Sequence, residues 1–315
     1  MSHSIVSKRA AAAPHRKWRT QCRADKIFDI VNHILMALAL LLCFYPLYYI
    51  VVVSFSQQVV GSYLIPNGFT LVGYQSVFKS KDIWQGYGNT IYYTVVGTVC
   101  SLVVTLPCAY GLSRRDVPFR GLVMTLFLIT MYISGGLIPG YINLSEMHMI
   151  NTRWVLLLPG AVSTYNLIVA RTFFANTIPW ELHEAAFLDG CSNIRLFLKI
   201  VLPLSAPIVV VMTLYYGVAH WNSYFNAMIY LSDRSKYPLQ VFLREILTKG
   251  QFAAEAIKSG AAFSEEEMIA MMKETETANL IKYCVIIVST IPMMVLYPFL
   301  QRFFTKGVMI GAVKG

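Results

Sequence analysis

Long runs of apolar residues alternate with short polar segments along this 315-residue chain. A helix needs about 20 mainly apolar residues to cross the roughly 30 Å hydrocarbon core of a bilayer. Six runs approach or exceed that length, at about residues 30–54, 89–112, 121–142, 154–172, 200–231 and 280–304. The pattern therefore predicts an all-α, polytopic membrane protein with six transmembrane helices. The fourth run is the shortest and contains Pro159 and Gly160, so its boundaries are the least well defined.

These runs divide the chain into a membrane domain, residues 28–304, with a polar segment on each side. A basic arm, residues 1–27, precedes the domain, and a short tail, residues 305–315, follows it. Two of the segments between the runs are long enough to hold structure of their own. They are a loop at 177–192 and a longer segment at 232–279, which the six-span arrangement places on opposite sides of the membrane.

Composition and charge agree with a membrane protein of defined orientation. Hydrophobic residues make up 56% of the chain and charged residues 13%, and the mean hydropathy is +0.55, which is more apolar than a water-soluble domain of this size. With six spans, the segments on the side of the two termini hold 16 of the 26 Lys and Arg but 6 of the 16 Asp and Glu. The positive-inside rule then places both termini in the cytoplasm. Because the basic residues are spread over four short segments, we expect contact with membrane lipid and no nucleic-acid partner.

The sequence contains no pattern typical of a catalytic or metal site. The six cysteines lack paired spacing, and the six histidines lack the spacing of a zinc-binding helix. Away from their ends the spans hold almost no ionisable side chains apart from His220, whereas ion-coupled carriers keep such groups inside the membrane. We expect no catalytic residue, metal or cofactor on this chain, and any uphill transport would draw its energy from a partner.

The loop at 177–192 predicts a short helix on the cytoplasmic surface. Pro179 favours a helix start, Glu181 and Glu184 suit its positive N-terminal end, and Asp189-Gly190 is a stop signal, so the helix has about ten residues. Ser192 is placed to cap the helix that follows. Two interpretations are open on the residues alone. The helix is an amphipathic connector that rests on lipid headgroups, or it transmits a push from a docked soluble partner.

The residues at 184–207, EAAFLDGCSNIRLFLKIVLPLSAP, resemble the EAA loop of ATP-binding-cassette (ABC) importer permeases. That pattern is EAA, three variable residues, a glycine and a later I-x-LP. The resemblance implies the type I ABC importer permease fold, with 177–192 as a coupling helix that docks on a cytoplasmic ATPase subunit. It assigns coupling to Glu181, Glu184, Ala185, Ala186, Asp189, Gly190, Lys314 and Gly315.

Two other segments resemble the carbohydrate-uptake branch of these permeases. They are WNSYF at 221–225 and GVMIGAVKG at 307–315, the latter similar to the tail of the second, maltose G-type subunit. Within the branch, the chain resembles polysaccharide and multiple-sugar (lipoprotein-type) permeases. The resemblance implies import of oligosaccharides across a bacterial cytoplasmic membrane with three kinds of partner: a second permease, two ATPase subunits that bind ATP and Mg, and an extracytoplasmic solute-binding lipoprotein. The 232–279 segment departs from the compact maltose-type loop and carries an acidic run at 265–267.

The fifth span offers side chains suited to sugars, which stack on aromatic rings and hydrogen-bond through their hydroxyls. These candidates for the substrate pathway are Tyr215, Tyr216, His220, Trp221, Asn222 and Tyr224. An interfacial aromatic belt is the alternative interpretation for Trp221 and Tyr224. Two other functions also stay open: a permease of the same superfamily for an amino acid, peptide or phosphate, and a membrane scaffold that transports nothing.

Overall fold

A computed structural model of the chain describes residues 23–57, 65–66, 68–258, 269, 275, 278, 280–295 and 298. Within these residues the structure is helical, apart from one isolated bridge between Ser56 and Phe69. The prediction of an all-α protein is therefore confirmed. The chain divides into two compact units, residues 1–50 and 51–315. The described part of the first unit is helical, and its apolar side chains are exposed over most of its length.

We number the helices of the described residues in chain order. Three shorter features accompany them: single 3₁₀ turns at Arg153–Leu156 and Arg234–Lys236, and a π turn at Phe197–Val201 within α8. The helices are α1 (Arg23–Ser54), α2 (Val72–Lys79), α3 (Lys81–Ser113), α4 (Arg120–Tyr132), α5 (Leu137–Glu146), α6 (Thr164–Thr177), α7 (Trp180–Leu188), α8 (Asn193–Leu204), α9 (Ala206–Trp221), α10 (Phe225–Tyr230), α11 (Leu239–Lys258) and α12 (Leu280–Val295).

Two of the described helices, α1 and α3, are long and apolar enough to cross a membrane by themselves. Two more spans arise only if each of two bent pairs counts as one: α4 with α5, bent by 116°, and α8 with α9, bent by 84°. The runs at 121–142 and 200–231 are thus not single straight helices, as the sequence suggested. Gly136, with φ of 85°, lies in the first break, and Pro207, which lacks a backbone N–H, lies just after the second.

The fourth predicted span, at 154–172, differs most from the structure. Its first residues form the 3₁₀ turn, and α6 begins only at Thr164 and continues to Thr177. Pro159 and Gly160 interrupt the helix because proline lacks a donor and glycine has a high backbone entropy. The 14 residues of α6 rise about 21 Å, at about 1.5 Å per residue, which is short of the bilayer core. Six membrane spans therefore stay a prediction.

Helix α3 lies at the centre of the described packing and contacts α6, α9 and α11. It approaches α9 most closely at Gly97, where an added Cβ would lie 2.6 Å from the His220 ring. One turn further on, the hydroxyls of Thr105 and Tyr216 are 2.7 Å apart. The same region buries four hydroxyl oxygens that have no hydrogen-bond partner among the described residues, those of Thr94, Thr98, Ser101 and Ser205.

Replacing Gly97 by alanine tests the contact between α3 and α9. The new methyl group would overlap the buried His220 ring, and overpacking of this kind costs about 1–3 kcal/mol. We expect a lower thermal unfolding midpoint for the Gly97→Ala protein in mild detergent. Gly88→Ala, on the same helix, is the matched control because an added Cβ there meets nothing within 4 Å. Equal midpoints for the two variants would contradict this packing.

Candidate functional site

The short helix predicted in the 177–192 loop is confirmed as α7. Pro179 precedes it in extended conformation, and Glu181 lies in its first turn. At its end, the Gly190 N–H donates to the Phe187 carbonyl and the Cys191 N–H to the Ala186 carbonyl, which is the Schellman arrangement. Gly190 has a φ of 68°, so this stop requires glycine although an added Cβ would meet no neighbour. The prediction for Ser192 is also confirmed, since its side chain accepts from the Arg195 N–H at 3.4 Å.

Helix α7 has a buried face and an exposed face. His183 and Ala186 are buried in contact with neighbouring helices. Five of the residues assigned to coupling are exposed: Glu181, Glu184, Ala185, Asp189 and Gly190. Ala186 differs from them, because it is 6% exposed and belongs to the apolar core. Leu188, which the sequence analysis did not single out, is 89% exposed and presents an apolar side chain beside these polar ones.

The buried face of α7 is bonded to the end of α3 through His183. The Tyr110 hydroxyl lies 3.0 Å from His183 Nε2, and Nδ1 lies 3.3 Å from the Pro179 carbonyl oxygen. Because a carbonyl only accepts, the pattern assigns the ring hydrogen to Nδ1, and Nε2 accepts from Tyr110. The His183 ring also stacks on the rings of Trp180 and Tyr110, with centroids 5.1 and 5.8 Å away. This histidine is therefore satisfied on both nitrogens and both faces.

Arg114 extends the connection to the start of α8. Its guanidinium forms a two-pronged ion pair with Asp116, and a further N–H donates to Asn193 Oδ1 at 2.7 Å. It also lies over the rings of Tyr110 and Phe187, at 5.9 and 5.5 Å from their centroids. We call Tyr110, Arg114, Asp116, His183 and Asn193 the Arg114 cluster. It joins α3, α7 and α8 at one place.

The ion pair in this cluster is formed at neutral pH. Hydrogen bonding from Arg114 holds the pKa of Asp116 below its ordinary value of 3.8. A carboxyl group with a lowered pKa contributes stability above its ordinary pKa, and that contribution is lost as the pH falls through the lowered value. Sequence analysis missed the role of Arg114 because it counted this residue only as a positive charge. The Arg-x-Asp spacing at 114–116 was the available local signal.

A concave site that we call the solute pocket lies between α6, α9 and the turn at Arg153–Leu156, with a volume of about 830 Å³. Three of the six pathway candidates, Tyr215, Tyr216 and His220, line it. The Tyr165 and Tyr215 rings flank part of it, with centroids 6.5 Å apart. Its lining also includes four further polar residues that the sequence analysis had not named. These are Ser163, Asn166, Ser223 and Asn226.

The other three pathway candidates lie elsewhere. Trp221 is buried, donates to the Ser289 carbonyl at 3.2 Å and meets the Tyr87 ring edge-on. The Asn222 amide donates to the Val218 carbonyl at 3.1 Å. Tyr224 lines a different concavity, on the side of α11. Lys314 and Gly315 are outside the described residues, and within the described part of the chain no three metal-ligating side chains come together.

The bundle of broken helices around a polar pocket, with an exposed loop helix bonded to its base, defines a membrane transport protein of the permease class. The chain belongs to the family described as binding-protein-dependent transport system inner membrane component, whose sequence model matches residues 83–248. That match runs from α3 to α11 and includes the Arg114 cluster and the solute pocket. The resemblance to ABC importer permeases is thereby confirmed.

Named relatives narrow the comparison. The chain is 37% identical to the polygalacturonan/rhamnogalacturonan transport system permease protein YtcP of Bacillus subtilis, over 92% of this chain and 99% of that one. It is 35% identical to protein LplC of the same species, over 93% and 97% of the two chains. In three dimensions it matches a chain of a bacterial ABC transporter involved in the import of the acidic polysaccharide alginate. That match has a TM-score of 0.79 and 30% identity, and covers 91% of this chain and 99% of the other. The resemblance to the carbohydrate branch is confirmed.

The neighbouring arginines 114 and 115 provide a matched test of the Arg114 cluster. Arg114→Gln removes the ion pair with Asp116, and hydrogen bonds to charged groups contribute about 1.5–3 kcal/mol each. We therefore expect residues 180–188 to exchange amide hydrogens at least about tenfold faster in this variant. Arg115 is exposed, so Arg115→Gln should leave exchange unchanged. Mass-spectrometric hydrogen exchange measures both, and unchanged protection in Arg114→Gln would exclude this role for Arg114.

Proposed function

We propose that this chain is the transmembrane permease subunit of an ATP-driven importer for oligosaccharides or polysaccharide fragments. The observation that carries the proposal is the 37% identity over nearly the whole chain to a permease named for polygalacturonan and rhamnogalacturonan transport. In this proposal the chain forms half of the translocation pathway, and ATP hydrolysis resides in other subunits. Neither the amino-acid, peptide or phosphate alternative nor the scaffold alternative has comparable support.

The proposed setting is a bacterial cytoplasmic membrane crossed six times, with both termini in the cytoplasm. The uneven distribution of Lys and Arg supports this orientation. The bent pairs α4–α5 and α8–α9 support a membrane location too, because broken helices are tolerated at membrane depth where they line a cavity or are buried in protein. This arrangement places the Arg114 cluster on the cytoplasmic side and α11 on the external side.

The proposed partners follow from the surfaces of the chain. The exposed face of α7, with Glu184, Ala185 and Leu188, docks on one of two cytoplasmic ATPase subunits, which bind ATP and Mg. A second, similar permease completes the pathway, and a solute-binding lipoprotein delivers the sugar at the external side. ATP-driven closure of the ATPase pair moves α7, and the spans then alternate between outward-open and inward-open states.

The Arg114 cluster supports a specific route for this movement. Sequence order connects α7 only to α6 and α8, but the bonds from Tyr110 to His183 and from Arg114 to Asn193 connect it to α3 as well. Helix α3 packs along both α6 and α9, whose side chains line the solute pocket. A displacement of α7 therefore reaches the pocket through three helices.

The solute pocket suits a sugar in shape and chemistry. Its volume of about 830 Å³ is in the usual range for small-molecule sites. The rings of Tyr165 and Tyr215 are half exposed and available for stacking on pyranose faces. Asn166 and Asn226 offer amides to hydroxyl groups. Tyr216 has a structural role, because its hydroxyl is bonded to Thr105 and to the Ser163 N–H.

The coupling role is tested by reversing one charge on α7. Glu184→Lys places a cation on a surface proposed to meet the ATPase, where a mismatched charge costs several kcal/mol. We expect loss of ATPase subunits on co-purification, or ATP hydrolysis in nanodiscs that oligosaccharide and binding protein no longer stimulate. Glu146→Lys, an equally exposed glutamate at the end of α5, is the control. Full stimulation in Glu184→Lys would assign α7 to a connector.

The solute pocket is tested with a pair of exposed tyrosines. Tyr215→Leu removes a ring from the pocket, whereas Tyr132→Leu removes an exposed ring that does not line it. Since stacking contacts on aromatic rings contribute about 0.5–1.5 kcal/mol, we expect oligosaccharide uptake by Tyr215→Leu to fall severalfold at subsaturating sugar. Uptake by Tyr132→Leu should match that of the wild type. Equal uptake by both variants would place the pathway elsewhere.

A further inference from the structure

A second concavity, which we call the α10–α11 groove, shares no lining residue with the solute pocket and has a volume of about 440 Å³. Positions 244, 248 and 252 lie four residues apart and form one stripe along α11. Tyr224 and Met228, also four apart, form the facing stripe at α10. Two facing stripes produce an elongated groove, which suits an extended chain better than a compact solute.

Arg244 is a cation in this groove without an ion-pair partner among the described residues. Its guanidinium lies over the Tyr224 ring, 5.5 Å from the centroid. Nearby Arg234, in contrast, is paired with Asp82 at 2.9 Å and with Glu245 at 3.0 Å. A guanidinium on an aromatic face keeps its N–H groups free at the edge, where they match the two oxygens of a carboxylate.

The other lining side chains match a sugar ring. Tyr224 and Phe252 are aromatic, and Phe252 is 67% exposed, so both faces of the groove can stack on a pyranose. Thr248 offers a hydroxyl, which bonds to the Arg244 carbonyl and still accepts. Glu245 also lines the groove, but its two oxygens face Arg234, so its charge does not offset that of Arg244.

We propose that the α10–α11 groove binds one unit of an acidic, uronate-containing oligosaccharide, with Arg244 on the sugar carboxylate and Tyr224 and Phe252 on its ring faces. This inference rests on the proposed function and names the class of glycan. The residues that line the solute pocket include none with a formal charge other than through His220, so selection for an acidic sugar by this chain falls on the groove.

Direct binding tests the proposal on the assembled transporter in nanodiscs, without the solute-binding protein. The probes are trigalacturonic acid and its fully methyl-esterified form, which differ only in charge, and ligand-observed NMR titration gives both affinities. We expect the wild type to bind the acid more tightly than the ester. Arg244→Gln should lower the affinity for the acid about tenfold, to that of the ester, and leave the ester unchanged. Arg244→Lys, which keeps the charge but not the fork, should give an intermediate affinity.

Lys79→Gln is the matched control, since it removes one exposed cation at the end of α2, away from the groove. Thermal unfolding midpoints equal to that of the wild type establish that the variants are folded. Equal affinities of the wild type for acid and ester, or an Arg244→Gln affinity no lower than that of Lys79→Gln, would overturn the proposal. If some glycan still stimulates ATP hydrolysis in the complete system, only the groove assignment fails. If no glycan does, the proposed function fails.

Discussion

Close packing of α3 against α6 and α9 is the contact on which the described structure depends. It is possible because Gly97 leaves room for the His220 ring and because small hydroxyl residues follow on the same helix. Each end of α3 then holds a different part of the molecule. At one end Tyr110 and Arg114 bind α7 and α8, and at the other Thr90 accepts from the Leu239 N–H at the start of α11. One rigid helix therefore connects the surface proposed for the ATPase with the surface proposed for the sugar.

Local signals made α7 predictable and non-local contacts did not. Pro179 and Gly190 act on their immediate neighbours, so the start and end of this helix are legible in the sequence. The bond between Tyr110 and His183 joins residues 73 positions apart, and no periodicity relates them. Hydropathy likewise reports the length of an apolar run but not its direction. The bends within the third and fifth runs, and the late start of α6, were for that reason not predictable from run length.

The pathway candidates show the same division. The sequence places six aromatic and polar residues within ten positions and treats them as one group. On a helix, each step turns about 100°, so such neighbours point in several directions. The structure sends Tyr215, Tyr216 and His220 to the solute pocket, buries Trp221 against Ser289, and places Tyr224 beyond the end of α9 in the α10–α11 groove. Which direction faces a cavity is decided by α6 and α11, and the fifth run contains no information about them.

The buried hydroxyls of Thr94, Thr98 and Ser101 have a consequence for the energy of movement. A buried polar atom without a partner costs about 1–3 kcal/mol relative to one that is hydrogen-bonded. In the conformation described, α3 and α9 meet through a dry contact that leaves these oxygens unpaired. Any rearrangement that admits water between the two helices hydrates them and recovers part of that free energy. The lost dispersion contacts are thereby partly compensated, and the dry and hydrated forms of the interface come closer in free energy.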